Sequence, residues 1–185
     1  MTTKTRKDNE LSEQLQYLKL TSILETYQPE AKAAAEHQLG HVDYLARLVD
    51  GEAQLRQDRS IARRIKLARF PVIKTLEEFD WNWPKKINRL QIQNFFRLSF
   101  VKEKANVIMV GGVGLGKTHL SIALGHAACL AGHSVLFASA IDIVNTLGAA
   151  QSTGRLKFEL RKYLRPAVLL IDELGYLPID KKGAD

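Results

Sequence analysis

Residues 111–120 read GGVGLGKTHL, four glycines within six positions and then a lysine and a threonine. Gly111, Gly116, Lys117 and Thr118 fit the spacing G-x-x-x-x-G-K-S/T, the pattern of a loop whose bare backbone wraps phosphate oxygens. Glycine at that density is costly in chain entropy, so a backbone requirement must stand behind it. In this reading the loop runs from Gly111 through Gly112, Val113, Gly114 and Leu115 to His119. The N–H groups of about Val113 to Thr118 point at the phosphates, and a helix opening there adds the pull of its N-terminal dipole. Lys117 brings a point charge to the β- and γ-phosphates, and the Thr118 hydroxyl is placed to ligate Mg²⁺. The plainer reading is a glycine-rich turn with no ligand.

A second acidic element answers the first. In AVLLIDELG an apolar run ends on Asp172 and Glu173, at what should be the C-terminal end of a buried strand, the edge where α/β sheets bind ligands. Adjacent carboxylates there are unfavourable unless a cation meets them. A Mg²⁺–nucleotide supplies that charge: Asp172 holds the metal through its water shell, and Glu173 orients or deprotonates the attacking water. The alternative is an acidic pair that caps a loop. Glu173 also separates reaction classes, because a small-molecule kinase must keep water from the γ-phosphate whereas a nucleotide hydrolase needs it activated.

The elements that must hold these residues follow from periodicity. NVIMV (106–110) reads as a strand feeding the loop, His119 to Leu130 as a buried helix, AGH as a turn and SVLFAS as a second strand. A helix over 141–150, a basic helix GRLKFELRKYL and the apolar run before Asp172 complete an α/β arrangement around a buried parallel sheet. Upstream, residues 10–70 read as helical, with a break at Pro29 and a long helix from Val42 to Ala68 that carries Leu45, Leu48, Val49, Ile61 and Ile65 on its apolar face. It stops at RFP, because Phe70 precedes Pro71. The expected organisation is a helical domain over 1–70, a linker over 71–84 and an α/β core over 85–185 that opens with a helix from Lys85 to Leu98. Phe79, Trp81 and Trp83 in the linker either pack the joint or lie near a bound base, with packing the default.

Composition bounds the partners. Hydrophobic residues make up 45% of 185, enough for a real core, and the net charge is +7 with a pI near 9.5. That balance points to nucleic acid before membrane. Arg59, Arg63 and Lys66 share one face of the long helix, and Arg155, Lys157, Arg161, Lys162 and Arg165 crowd the later basic helix against Glu159. Both sets are candidate duplex-DNA contacts, the alternative being a solvated helix surface. The single cysteine, Cys129, excludes an internal disulfide and reads as a small buried apolar residue, in keeping with a reducing cytoplasm. Thr118 to Ile141 lacks any charged residue, but His119, His126, His133 and Gly132 interrupt it, so it reads as helix, turn and strand rather than a membrane span.

Taken together, GGVGLGKTHL…ALGHAACLAGHSVLFASA, AVLLIDELGYLPID and ARFPVIKTLEEFDW resemble the IstB-like ATPases, helper proteins of insertion-sequence transposition related to DnaC-type helicase loaders within the AAA+ class. The resemblance covers nearly the whole chain. It implies a small helical domain on a P-loop AAA+ core, ATP and Mg²⁺ as ligands, homo-oligomerisation on DNA and cooperation with a transposase. Within the same family a loader for a replicative helicase is the rival, and outside it a DNA adaptor that binds nucleotide without turnover. The family pattern continues past LGYLPIDKKGAD, so the resemblance puts the strand with the γ-phosphate sensor, and the arginine lent to a neighbouring subunit, after Asp185. The 185 residues alone are therefore expected to fold marginally and to hydrolyse ATP slowly.

Overall fold

The computed structural model describes residues 6–84 and 87–174, arranged as two compact units, 1–60 and 61–185. The tail of the acidic motif after Leu174 lies outside the described residues, as does Lys85.

The first unit is helical. Helices α1 (Arg6–Tyr17) and α2 (Thr21–Glu36) precede α3 (His41–Ala68), whose C-terminal turns belong to the second unit. Pro29 does not break the chain: it sits inside α2. Proline removes one N–H from the helix ladder, and Leu24 and Tyr27, in the turns just before it, hold the helix by packing with Leu15 and Leu48. The break comes earlier. Lys19 adopts φ 57, Leu20 N–H reaches Leu15 C=O at 2.9 Å and Lys19 N–H reaches Gln16 C=O at 3.0 Å, the paired bonds that end a helix on a left-handed residue. Leu45 and Val49, expected on the buried face of α3, are exposed; Leu48 alone of that trio is buried.

The start of α2 has no side-chain cap of its own. Glu52, 5% exposed on α3, supplies one: Ser22 N–H donates to its Oε2 at 2.8 Å, and its Oε1 takes the Arg56 guanidinium at 3.0 Å. A carboxylate at a helix N-terminus meets both orphan N–H groups and the positive end of the dipole.

The second unit is the α/β body. A turn-rich segment over 71–84 leads to α4 (Arg89–Phe95) and α5 (Ser99–Glu103). The single helix expected over 85–98 is thus shorter and followed by a second, because Asn88 caps α4 by accepting from Gln91 N–H at 3.1 Å and Leu98 turns left-handed. Helix α6 (Lys117–Leu130) is the central element, followed by β1 (Val135–Ser139), α7 (Ala140–Ser152), α8 (Leu156–Leu164) and β2 (Val168–Asp172). The strands pair in parallel from Val135 opposite Val168 to Ser139 opposite Asp172. Leu124, Ala128 and Cys129 of α6 pack with Val135, Val168 and Leu170 in one core. Gly125 is required there, since a Cβ would meet Leu170 Cδ1 at 2.5 Å. Burial pushes the Cys129 thiol up, with the Arg64 charge opposing it, so the thiol stays protonated and inert.

Residues 106–110 do not form the expected strand. Met109 packs toward the core while Ile108 and Val110 are 81% and 91% exposed, and the sheet among the described residues has two strands, β1 and β2. An apolar run leading into the glycine loop set the expectation, but a strand exists only where a neighbour completes its ladder.

Burial pushes the Glu52 carboxyl up, yet the Arg56 guanidinium and the N–H groups of Ser22 and Ile23 outweigh it and leave the pKa below the ordinary 4.5. A carboxyl depressed by folding stabilises fully above its unfolded pKa and loses that contribution as pH falls through the folded value. Glu52→Gln should therefore weaken the helical unit by about 1–3 kcal/mol at neutral pH and by much less once the pH has fallen through the lowered folded pKa. Amide exchange at Ser22 and Ile23 reads this directly; equal protection in both proteins at pH 7 would remove the cap from the account.

Candidate functional site

The loop that precedes α6 bends where glycine alone is comfortable. Gly114 and Gly116 have φ of +77° and +78°, the left-handed region that a Cβ disfavours. Gly116 is the residue before the helix, and its C=O accepts the first helical bond from Leu120 N–H at 2.9 Å. The N–H groups of Lys117, Thr118 and His119 consequently have no partner inside the helix, and no side chain caps them. That is the local setting in which a helix start attracts an anion.

Lys117 lies folded over its own loop, its Nζ donating to Gly112 C=O at 2.7 Å. The ammonium is thereby held over the glycine loop. Ser121 ties down the same turn by donating to Lys117 C=O at 2.7 Å.

The two sequence elements meet at Thr118. Its hydroxyl donates to the Asp172 carboxylate, 3.1 Å from Oδ1 and 3.0 Å from Oδ2, across 54 positions of sequence. Asp172 can be there because it ends β2, opposite Ser139, at the close of the ladder. Ser139 in turn caps α7, accepting from Asp142 N–H at 3.1 Å. A hydroxyl and a carboxylate at this separation are hard oxygen donors, and they suit Mg²⁺, which keeps much of its water shell and takes few protein ligands. Glu173 follows directly, exposed and with φ 60, a left-handed backbone that costs an ordinary residue about 1–3 kcal/mol and is often kept for function.

The imidazole of His119 turns to the 71–84 segment: Nε2 lies 2.8 Å from Thr75 O, and the ring meets Phe79 edge-on with centroids 5.4 Å apart. Sequence reasoning had no signal for this contact, because 71–84 reads as a linker and nothing in its periodicity points to the loop 35 or more residues on.

The basic candidates stand on two separate helices. Arg59, Arg63 and Lys66 are exposed on α3, with Arg59 donating to Thr21 Oγ1 at 3.3 Å. Arg155 precedes α8 with its guanidinium 5.6 Å from the Phe158 ring centroid, Arg161 is exposed, and Lys162 pairs with Glu159 at 3.7 Å. Among the described residues no helix is long and apolar enough to cross a membrane.

Comparison with known proteins places the chain in a family. The family described as IstB-like ATP binding protein matches residues 13–185. A protein named for ATP binding from insertion sequence IS5376 of Geobacillus stearothermophilus is 36% identical over 90% of this chain and 66% of its own length. One from insertion sequence IS21 of Pseudomonas aeruginosa is 36% identical over 95% of this chain and 66% of its own. A third, from IS232 of Bacillus thuringiensis subsp. berliner, is 33% identical over 95% and 70%. The chain thus spans about two thirds of the length of the curated relatives it matches.

Replacing Lys117 by Ala removes the only ammonium in the loop, and a charge-assisted contact of this kind contributes about 2 kcal/mol or more. Lys117→Ala should weaken ATP about thirtyfold or more in a calorimetric titration, and parental affinity in that variant would refute the assignment. Asp172→Asn should keep nucleotide affinity in EDTA yet lose its enhancement by Mg²⁺.

Proposed function

The chain belongs to the family of IstB-like ATP-binding proteins, and from that premise we propose that it binds ATP–Mg²⁺ through the loop 111–119 and serves DNA transposition. Lys117 faces the β- and γ-phosphates, Thr118 and Asp172 hold the metal, and Glu173 orients the hydrolytic water. The observation that supports this reading is the Thr118–Asp172 hydrogen bond, which brings together a hydroxyl and a carboxylate, oxygen donors suited to Mg²⁺, where α6 begins. The whole protein would be a P-loop AAA+ ATPase that assembles on duplex DNA in the cytoplasm and cooperates with a transposase. Insertion-sequence names among the relatives favour that partner over a replicative helicase.

The exposed cations of α3 and α8 support DNA contact through phosphates. Such contacts are independent of sequence and release counterions, with log K falling by about 0.9 per log unit of salt for each phosphate neutralised.

Two measurements test the proposal. In the full-length protein, Glu173→Gln should retain ATP binding while turnover falls at least a hundredfold, the order expected when a general base is lost; undiminished turnover would move the water-activating role elsewhere. Duplex-DNA affinity should fall steeply with salt, and Arg161→Ala with Lys162→Ala should reduce the slope by about 2. An affinity that stays flat across the salt titration sinks the DNA reading.

A further inference from the structure

Phe79 is the one buried residue of the 71–84 segment, 6% exposed. Its ring occupies the space beside Gly116 where a side chain would begin. A Cβ built on Gly116 would stand 2.6 Å from Phe79 Cε2 and 3.2 Å from Cζ. The same ring meets His119 edge-on at 5.4 Å and Trp81 at 5.0 Å. A second, polar link runs beside it, since His119 Nε2 lies 2.8 Å from Thr75 O. A carbonyl can only accept, so the imidazole donates there through Nε2–H. Edge-on aromatic contact and a hydrogen bond thus join residues 75–81 to the last glycine of the loop and to the first turn of α6.

Gly116 is the hinge on which the phosphate reading turns. Its φ of +78° fixes the direction in which the N–H groups of Lys117, Thr118 and His119 emerge. Glycine left to itself populates both signs of φ. Something must therefore hold this one left-handed before a ligand arrives, and preorganised N–H groups bind an anion better than ones that must first be ordered.

We propose that Phe79 is a positioning residue for the phosphate loop: its ring wedges against Gly116 and keeps the start of α6 aimed at the phosphates. Nucleotide affinity then depends on the 75–81 segment being docked, although that segment carries no charge toward the ligand from Phe79 itself. The inference rests on the nucleotide reading above and deepens it. If Phe79 were only core, its loss would lower stability and leave the affinity of the folded protein alone.

The test is a fluorescence titration with MANT-ATP and Mg²⁺, run on the chain and its variants beside their unfolding midpoints without nucleotide. Phe79→Ala should weaken binding tenfold or more at a temperature where its helical circular dichroism matches the parent. Phe79→Leu, which restores most of the bulk, should recover most of the affinity. Gly116→Ala should weaken binding, both because its methyl strikes the ring and because a Cβ is strained at φ +78°. Adding Phe79→Ala to Gly116→Ala should then cost nothing further or restore part of the affinity, a non-additivity expected only of groups in contact. Unchanged Kd in folded Phe79→Ala, or strictly additive losses in the double variant, would overturn the inference. Should Phe79→Ala fail to fold, Phe79→Leu, Gly116→Ala and their combination decide by the same non-additivity. A parent chain that binds no MANT-ATP would overturn the nucleotide reading and this inference with it, an outcome distinct from all the others.

Discussion

One hydrogen bond organises the second unit. Thr118 sits at the start of α6 and Asp172 at the end of β2, and the bond between their side chains requires both elements to stop in the right place. The helix must begin immediately after Gly116, which the left-handed glycine ensures. The strand must end level with Ser139, which the parallel register ensures. Gly125 lets α6 lie close enough to β2 for the two ends to meet. Loop, helix and strand are thus three conditions on a single distance, and the chemistry inferred for the site lies within hydrogen-bonding reach of it.

What was legible in the sequence was what short range decides. The glycine loop, the extent of α6 and the strands before Ser139 and Asp172 follow from spacing and periodicity within a dozen residues, and all appear nearly as read. The errors have the opposite character. Proline at 29 should interrupt a helix by local rule, but contacts of Tyr27 and Leu24 with residues elsewhere in the chain override it. Residues 106–110 have the composition of a strand and lack a ladder partner among the described residues. Leu45 and Val49 have the right spacing for a buried face, yet the helices around them cover Leu48 alone. Phe79 was visible as an aromatic that should pack; that it packs against Gly116 depends on a turn-rich path no periodicity encodes.

The helical unit shows the same division. Its apolar spacing foretold helices, but the acceptor for the start of α2 comes from Glu52, thirty positions after Ser22. A buried carboxylate is ordinarily unfavourable. Here a guanidinium and two backbone N–H groups surround it, so the charged form is the stable one. A lone acidic residue in a helix pattern gives no warning of such a role.

The Lys117 ammonium resting on Gly112 C=O is a tethered cation rather than a spent one. An ammonium carries three N–H donors, and the carbonyl takes one of them. The tether holds the long side chain over the loop, so the two remaining donors are presented from a fixed place instead of being spread over many rotamers. A neutral oxygen there replaces water with no net gain, whereas a group with substantial negative charge adds a charge-assisted bond. The carbonyl of Gly112 thus does for the cation what a clamp does for a tool: it gives up one grip to fix the aim of the others.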